Sequence, residues 1–165
     1  MRDTDVRPVH PMLEKDYASQ WLGVEVLHLG DGHATATMRV REEMLNGFGI
    51  AHGGMIFAFA DTVFALACNP VSETETITVA SGVDINFLSS ALPGEILTAV
   101  ATRTSATGRS GIYDITITAG QDGGAPDAER TVALFRGRSR TVPNRRNRNL
   151  TPTGSLPDSS ESRNA

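Results

Sequence analysis

The longest apolar stretch of the chain runs from Met55 to Cys68, where nearly every residue is Ala, Phe, Ile, Leu, Met or Val. The pattern predicts a helix of about four turns that is apolar all round, and such a helix is expected to be buried on all sides. Ahead of it, Met12, Leu13, Tyr17 and Trp21 recur at helical spacing. They predict a short amphipathic helix over residues 11–22 that ends at Gly23 and covers one edge of the core. Val24 to Leu29, a Gly-Asp-Gly turn, and Ala34 to Val40 with Ala34, Ala36, Met38 and Val40 alternating against Thr and Arg read as a β-hairpin. Beyond Pro70 come four β-rich runs, 76–88, 96–106, 112–119 and 130–141, separated by Pro93-Gly94, Thr107-Gly108 and Asp122-Gly123-Gly124. One long helix with about six strands, mostly joined by hairpins, predicts an α+β fold in which an antiparallel sheet wraps around the helix.

Composition narrows the class. The 165 residues suit one domain. Residues 143–165 are Arg, Asn, Ser, Thr and Pro with almost no apolar side chains, so the domain is expected over 1–142 and a disordered tail after it. No apolar run approaches the ~20 residues of a membrane span, and no membrane association is expected. The opening MRDTDVRPVHPMLEKDY has charges but no apolar segment after them, so a signal peptide is not expected and a cytoplasmic location is. The single cysteine, Cys68, has no internal partner for a disulfide and is expected to pack, not react. A net charge of -4 gives no general attraction to nucleic acid, and NRRNRN near the C-terminus, lacking an aromatic residue, reads as solvated tail.

The candidate chemistry gathers at the central helix. Asp61 sits in the middle of the apolar run, and a buried carboxylate costs several kcal/mol unless it finds a partner or shifts its pKa. Gly53 and Gly54 at the helix start permit a tight turn and leave N–H groups open to a ligand oxygen, at an end that attracts negative charge. Other sites fail on inspection. There is no GxGxxG after a strand and no P-loop, so no nucleotide cofactor is expected. The 108–112 segment lacks the geometry of a serine nucleophile elbow. His28 and His33 flank a turn without further placed ligands, and no metal is expected.

The run LNGFGIAHGGMIFAFADTVFALACN resembles the signature of the PaaI-type thioesterases, acyl-CoA hydrolases of the hotdog fold. The spacing of Asn46, His52, Gly53 and Asp61 carries the resemblance, which continues through VDINFL, GRSGIYDI and ALFRGRS and covers roughly Trp21 to Val142. It implies hydrolysis of phenylacetyl-CoA, hydroxyphenylacetyl-CoA or a related acyl-CoA to the free acid and coenzyme A. In that reading the Gly53 N–H stabilises the oxyanion, and Asp61 either attacks the carbonyl carbon or activates a water that does. Arg109, Ser110 and Gly111 resemble the segment that meets the phosphates of coenzyme A, with Gly54 also against the substrate. His52 is either a donor near the thioester or, as favoured here, a support for the turn. Asn46 either holds water or acyl group or is simply the turn residue before Gly47. Phe57, Phe59, Phe87 and Leu88 are apolar candidates for the acyl pocket. One departure is Gly82, where some relatives carry a hydroxyl that helps position water; here the hydroxyl is on Ser81.

Gly54 and Asp61 are seven residues apart, hence ~10 Å along the helix axis, too far for one chain to bring them together. A site that uses both helix start and acid needs two antiparallel copies of the helix, which predicts a two-fold homodimer with two shared sites. The resemblance implies the same geometry, and a homotetramer of two such dimers is expected. The alternatives at this point are a hotdog dehydratase and a non-catalytic acyl-CoA-binding module.

Overall fold

A computed structural model describes residues 8–73, 75–123 and 129–145; the first seven residues, Gly124 of the third turn and the expected tail beyond 145 lie outside the described residues. The elements are α1 (Tyr17–Leu22), β1 (Glu25–Gly30), β2 (His33–Arg39), α2 (Gly53–Cys68), β3 (Thr76–Phe87), β4 (Ile96–Thr107), β5 (Ser110–Gly120) and β6 (Arg130–Pro143), with single 3-10 turns at Pro11–Leu13 and Glu42–Met44. The six strands form one antiparallel sheet in the order β1-β2-β4-β5-β6-β3. The expected α+β architecture is therefore present, with α2 lying across one face of the sheet.

Alternation in the strands decides which face α2 meets. Ala34, Ala36 and Met38 of β2, Leu97, Ala99 and Ala101 of β4, Ile115 and Ile117 of β5 and Phe135 of β6 are all buried beneath it. The many alanines let a helix carrying Phe59 and Phe64 approach closely. Gly137 on β6 takes this furthest, since a Cβ there would lie 2.6 Å from the Phe64 ring.

Two expectations about helices need correction. The N-terminal stretch is not one helix over 11–22 but a 3-10 turn and α1, because the Asp16 side chain accepts the Ser19 N–H (3.0 Å) and starts a new helix there. Gly23, in the left-handed region at φ 73°, ends it as expected. Ser19 and Leu22 are the buried positions, while Tyr17 and Trp21 project outward, Trp21 beneath the guanidinium of Arg41. Nor is α2 buried on all sides within one chain. Ile56, Phe59, Ala60, Val63, Phe64, Leu66 and Ala67 are covered, but Gly54, Phe57, Ala58, Asp61 and Ala65 form a stripe left exposed or half-buried.

The stripe opens toward β3, an edge strand of 12 residues with Ile77 and Val79 exposed. The opposite edge, β1, has only 6 residues and a register shift between Val26 and His28, features that discourage further pairing. β6 continues through Pro143, the first residue of the expected tail, and the Asn144 N–H donates to Glu75 O (2.8 Å).

Candidate active site

The loop before α2 is closed by its own hydrogen bonds. Asn46 N–H donates to Ile50 O (2.8 Å), Gly49 N–H to Asn46 O (3.0 Å) and Phe48 N–H to the Asn46 Oδ1 (2.9 Å). Ala51 N–H donates to Ala91 O and His52 N–H to Met44 O, both at 2.8 Å, which anchors the far end of the loop to the body of the protein. Asn46 thus holds a turn with its carbonyl oxygen, and its side-chain NH₂ makes no hydrogen bond among the described residues.

His52 is the N-cap of α2, and its Nδ1 accepts the Gly54 N–H at 2.9 Å. That bond uses the lone pair on Nδ1, so the neutral ring carries its proton on Nε2. The N–H groups of Met55 and Ile56 turn to His52 O. Gly53, at the first helical position, has an N–H that donates to no group among the described residues. Over it stands Phe87, whose ring tip would come within 3.1 Å of a Cβ on Gly53, so a side chain there requires the ring to give by a few tenths of an ångström.

Asp61 follows two turns down the same uncovered stripe. Its carboxylate is half-buried and has no hydrogen bond or ion pair among the described residues. Burial pushes its pKa above the usual carboxylate value. Beside it a groove of about 1600 Å³ runs between α2 and β3, lined by Asp61, Ala65 and Cys68 on one side and Thr78 to Ala80 on the other. Cys68 itself is pushed up to about 12 by burial, so its thiol stays protonated and inert. Of the four aromatic and aliphatic pocket candidates, Phe59 is fully buried core, whereas Phe57, Phe87 and Leu88 reach the surface.

Arg109, Ser110 and Gly111 lie elsewhere. Arg109 sits in the β4–β5 turn and Ser110 and Gly111 open β5; Arg109 O accepts the Thr141 N–H (2.8 Å) and the Arg109 side chain is exposed. A smaller hollow of about 320 Å³ opens there between Ser105, Thr107, Ser110, Gly111, Ser81 and Ser139, and Asp61 does not line it. One helix therefore carries both the His52–Gly54 turn and Asp61, two turns apart along its open side, and neither lines the hollow beside the Arg109 turn. At the position of departure, Gly82 packs against Arg138, and Ser81, in a bulge between Ala80 and Gly82, donates its hydroxyl to Arg138 O (3.0 Å). Ser81 is thus tied to the strand. The contact between Phe87 and Gly53 was not legible from sequence; its only signal is the one aromatic residue of the VDINFL segment. His28 and His33 stack edge-on at 5.1 Å, and among the described residues no group of three or more His, Cys, Asp or Glu gathers as for a metal. Nor is any described helix long and apolar enough to cross a membrane.

A six-stranded antiparallel sheet folded against one central helix, with an acid on that helix's uncovered side, is the architecture of the hotdog-fold thioesterases. The Thioesterase superfamily matches residues 48–125. The chain is 39% identical to the acyl-coenzyme A thioesterase PaaI of Escherichia coli over 133 residues, 81% of this chain and 88% of that one. The structure of the E. coli PaaI protein from the phenylacetic acid degradation operon superposes with a TM-score of 0.70 at 38% identity, covering 79% of this chain and 88% of the other. A variant of the phenylacetic acid degradation protein PaaI from Thermus thermophilus gives a TM-score of 0.66 at 30% identity, covering 76% and 98%. The chain belongs to the PaaI-type acyl-CoA thioesterases of the thioesterase superfamily, and it is a thioester hydrolase.

Proposed function

We propose that this thioesterase cleaves aryl-acetyl-CoA, phenylacetyl-CoA or hydroxyphenylacetyl-CoA foremost, at a site shared between two chains. The observation that carries this reading is the uncovered stripe of α2, which begins at an N–H with no acceptor among the described residues and leads to a half-buried carboxylate with no partner among them. Gly53 and Asp61 are eight residues apart, ~12 Å along the axis, so a thioester carbonyl held by one cannot meet the other on the same helix. In a pair of antiparallel helices, the Gly53 end of one chain faces the Asp61 of the other.

The Gly53 N–H then polarises the thioester carbonyl and holds the oxyanion of the tetrahedral intermediate. The partner chain's carboxylate takes a proton from water as the water oxygen bonds to the carbonyl carbon. Collapse breaks the C–S bond, and the proton passes to the departing thiolate. In the second route the carboxylate oxygen itself bonds to that carbon, expels the thiolate and leaves a mixed anhydride for water to cleave. Mass analysis of acid-quenched enzyme separates the two, since only the second attaches the acyl group to Asp61. His52 supports the turn through Gly54, Asn46 offers its NH₂ to the site, and Arg109, with Ser110 and Gly111, meets the phosphates of coenzyme A. We place the enzyme in the cytoplasm, as a tetramer of two such dimers.

Thiol release measured across phenylacetyl-, hydroxyphenylacetyl-, benzoyl- and straight-chain acyl-CoA tests the substrate. The expected outcome is the highest kcat/KM for the two arylacetyl thioesters; a preference for straight chains contradicts it.

A further inference from the structure

We propose that Phe87 is the specificity-determining residue of the acyl pocket, the ring against which a flat aryl group is selected. The inference rests on the shared site proposed above and deepens it. Phe87 is the last residue of β3, in register with buried Ala133, and the preceding alternate residues Val83 and Ile85 pack on the core from the same face. Its side chain thus points inward with them, yet it is 52% exposed, because the strand ends there and Leu88 turns away to donate its N–H to Val132 O. The ring tip meets Gly53, with a Cβ position 3.1 Å from its Cζ.

An aromatic face therefore stands directly beside the open Gly53 N–H. One turn further along α2, Phe57 is 37% exposed and leans on buried Phe135, with ring centroids 5.7 Å apart. An acyl group whose carbonyl oxygen is held at Gly53 has Phe87 on the sheet side and Phe57 on the helix side. These two half-exposed rings offer a flat substituent edge and face contacts that a puckered ring of the same size cannot make equally well. Phe59, by contrast, is fully buried and takes no part.

The test compares kcat/KM for phenylacetyl-CoA and cyclohexylacetyl-CoA, which differ in flatness far more than in size. The parent is expected to favour the aryl thioester severalfold, up to about tenfold. Phe87→Ala is expected to bring the ratio close to one. Phe87→Leu, which keeps apolar volume at the strand end, is expected to lower it in the same direction and carries the test if the alanine variant does not fold. A ratio that survives both substitutions in a parent that prefers arylacetyl thioesters overturns the role of Phe87 alone. A parent that turns over straight-chain thioesters and ignores aryl ones overturns the substrate reading of the preceding section, and this inference with it.

Discussion

Asp61 has lost part of its hydration without gaining a cation or a donor among the described residues, so burial alone sets the direction of its pKa, upward. The folded chain then holds that proton more tightly than the unfolded one. Its contribution to stability is fully present below the unfolded pKa and is lost as pH rises through the raised folded value. Asp61→Asn removes that loss, so at neutral pH the variant should melt at or above the parent's temperature while kcat falls by on the order of a hundredfold or more. Thermal melts beside turnover measurements check both halves; a lower Tm with near-parental kcat would make Asp61 a structural residue. The acid limb of the rate profile should likewise lie above the ordinary aspartate range. For His52, the cap through Nδ1 predicts that His52→Asn, which can also accept the Gly54 N–H, retains clearly more activity than His52→Ala. Equal losses in the two would point to acid–base work by the imidazole. At this scale the sequence singled out the candidate residues, because glycine, histidine and aspartate around an apolar run are conspicuous. It could not show that the Asn46 carbonyl oxygen and the Ser81 hydroxyl are already committed, since Phe48 and Arg138 supply their partners only through folding.

The elements were legible wherever hydrophobic period and turn chemistry agreed. The strand runs fall within a residue or so of β3, and within a few of β4, β5 and β6, and Gly94, Gly108 and Gly123 occupy their turns with positive φ. At the N-terminus helical spacing does not amount to one continuous helix. A side-chain cap at Asp16 interrupts it, and Trp21 finds its partner in Arg41, 20 residues away, whose guanidinium also holds the last carbonyls of α1. The closeness of α2 to β6 was equally hidden, for Gly137 reads in sequence as a weak spot in a strand and proves to be the place where Phe64 lies against the backbone. Gly137→Ala should therefore cost about 1–3 kcal/mol by overpacking, measured by urea unfolding. An unchanged midpoint would show that the ring moves aside freely.

At the scale of the molecule, what sequence could not supply was the order of the strands. Local turns explain β1 with β2, β4 with β5 and β5 with β6, but β3 crosses to the far edge and pairs with β6 after α2 has passed over the sheet. That placement leaves a long edge strand beside the uncovered stripe of α2, and a second copy of the chain related by a two-fold axis would cover both. The exposed Arg109 turn lies outside the groove that Asp61 lines, and in the function proposed above it meets the nucleotide end of the substrate. Arg109→Ala should raise KM for coenzyme A thioesters and matter little for short thioesters that lack the nucleotide; equal effects on both would remove its phosphate role.

The shared site is tested most directly by complementation between two dead variants. Asp61→Asn removes the acid. Gly53→Pro removes the N–H at the first helical position, where proline is well tolerated, and His52 at φ -63° and ψ 130° already has the backbone that precedes proline. The added ring presses on Phe87, which is half-exposed and must shift, so a melting curve must first show that Gly53→Pro is folded. Each homodimer should then be nearly inactive, every site lacking one part. When equal amounts are unfolded and refolded together, random pairing makes about half the dimers mixed, each with one intact and one doubly defective site, and about a quarter of parental activity should return. Recovery no greater than that of the separately refolded variants, in a sample shown to contain mixed dimers, would mean that Gly53 and Asp61 act within one chain and would contradict the account.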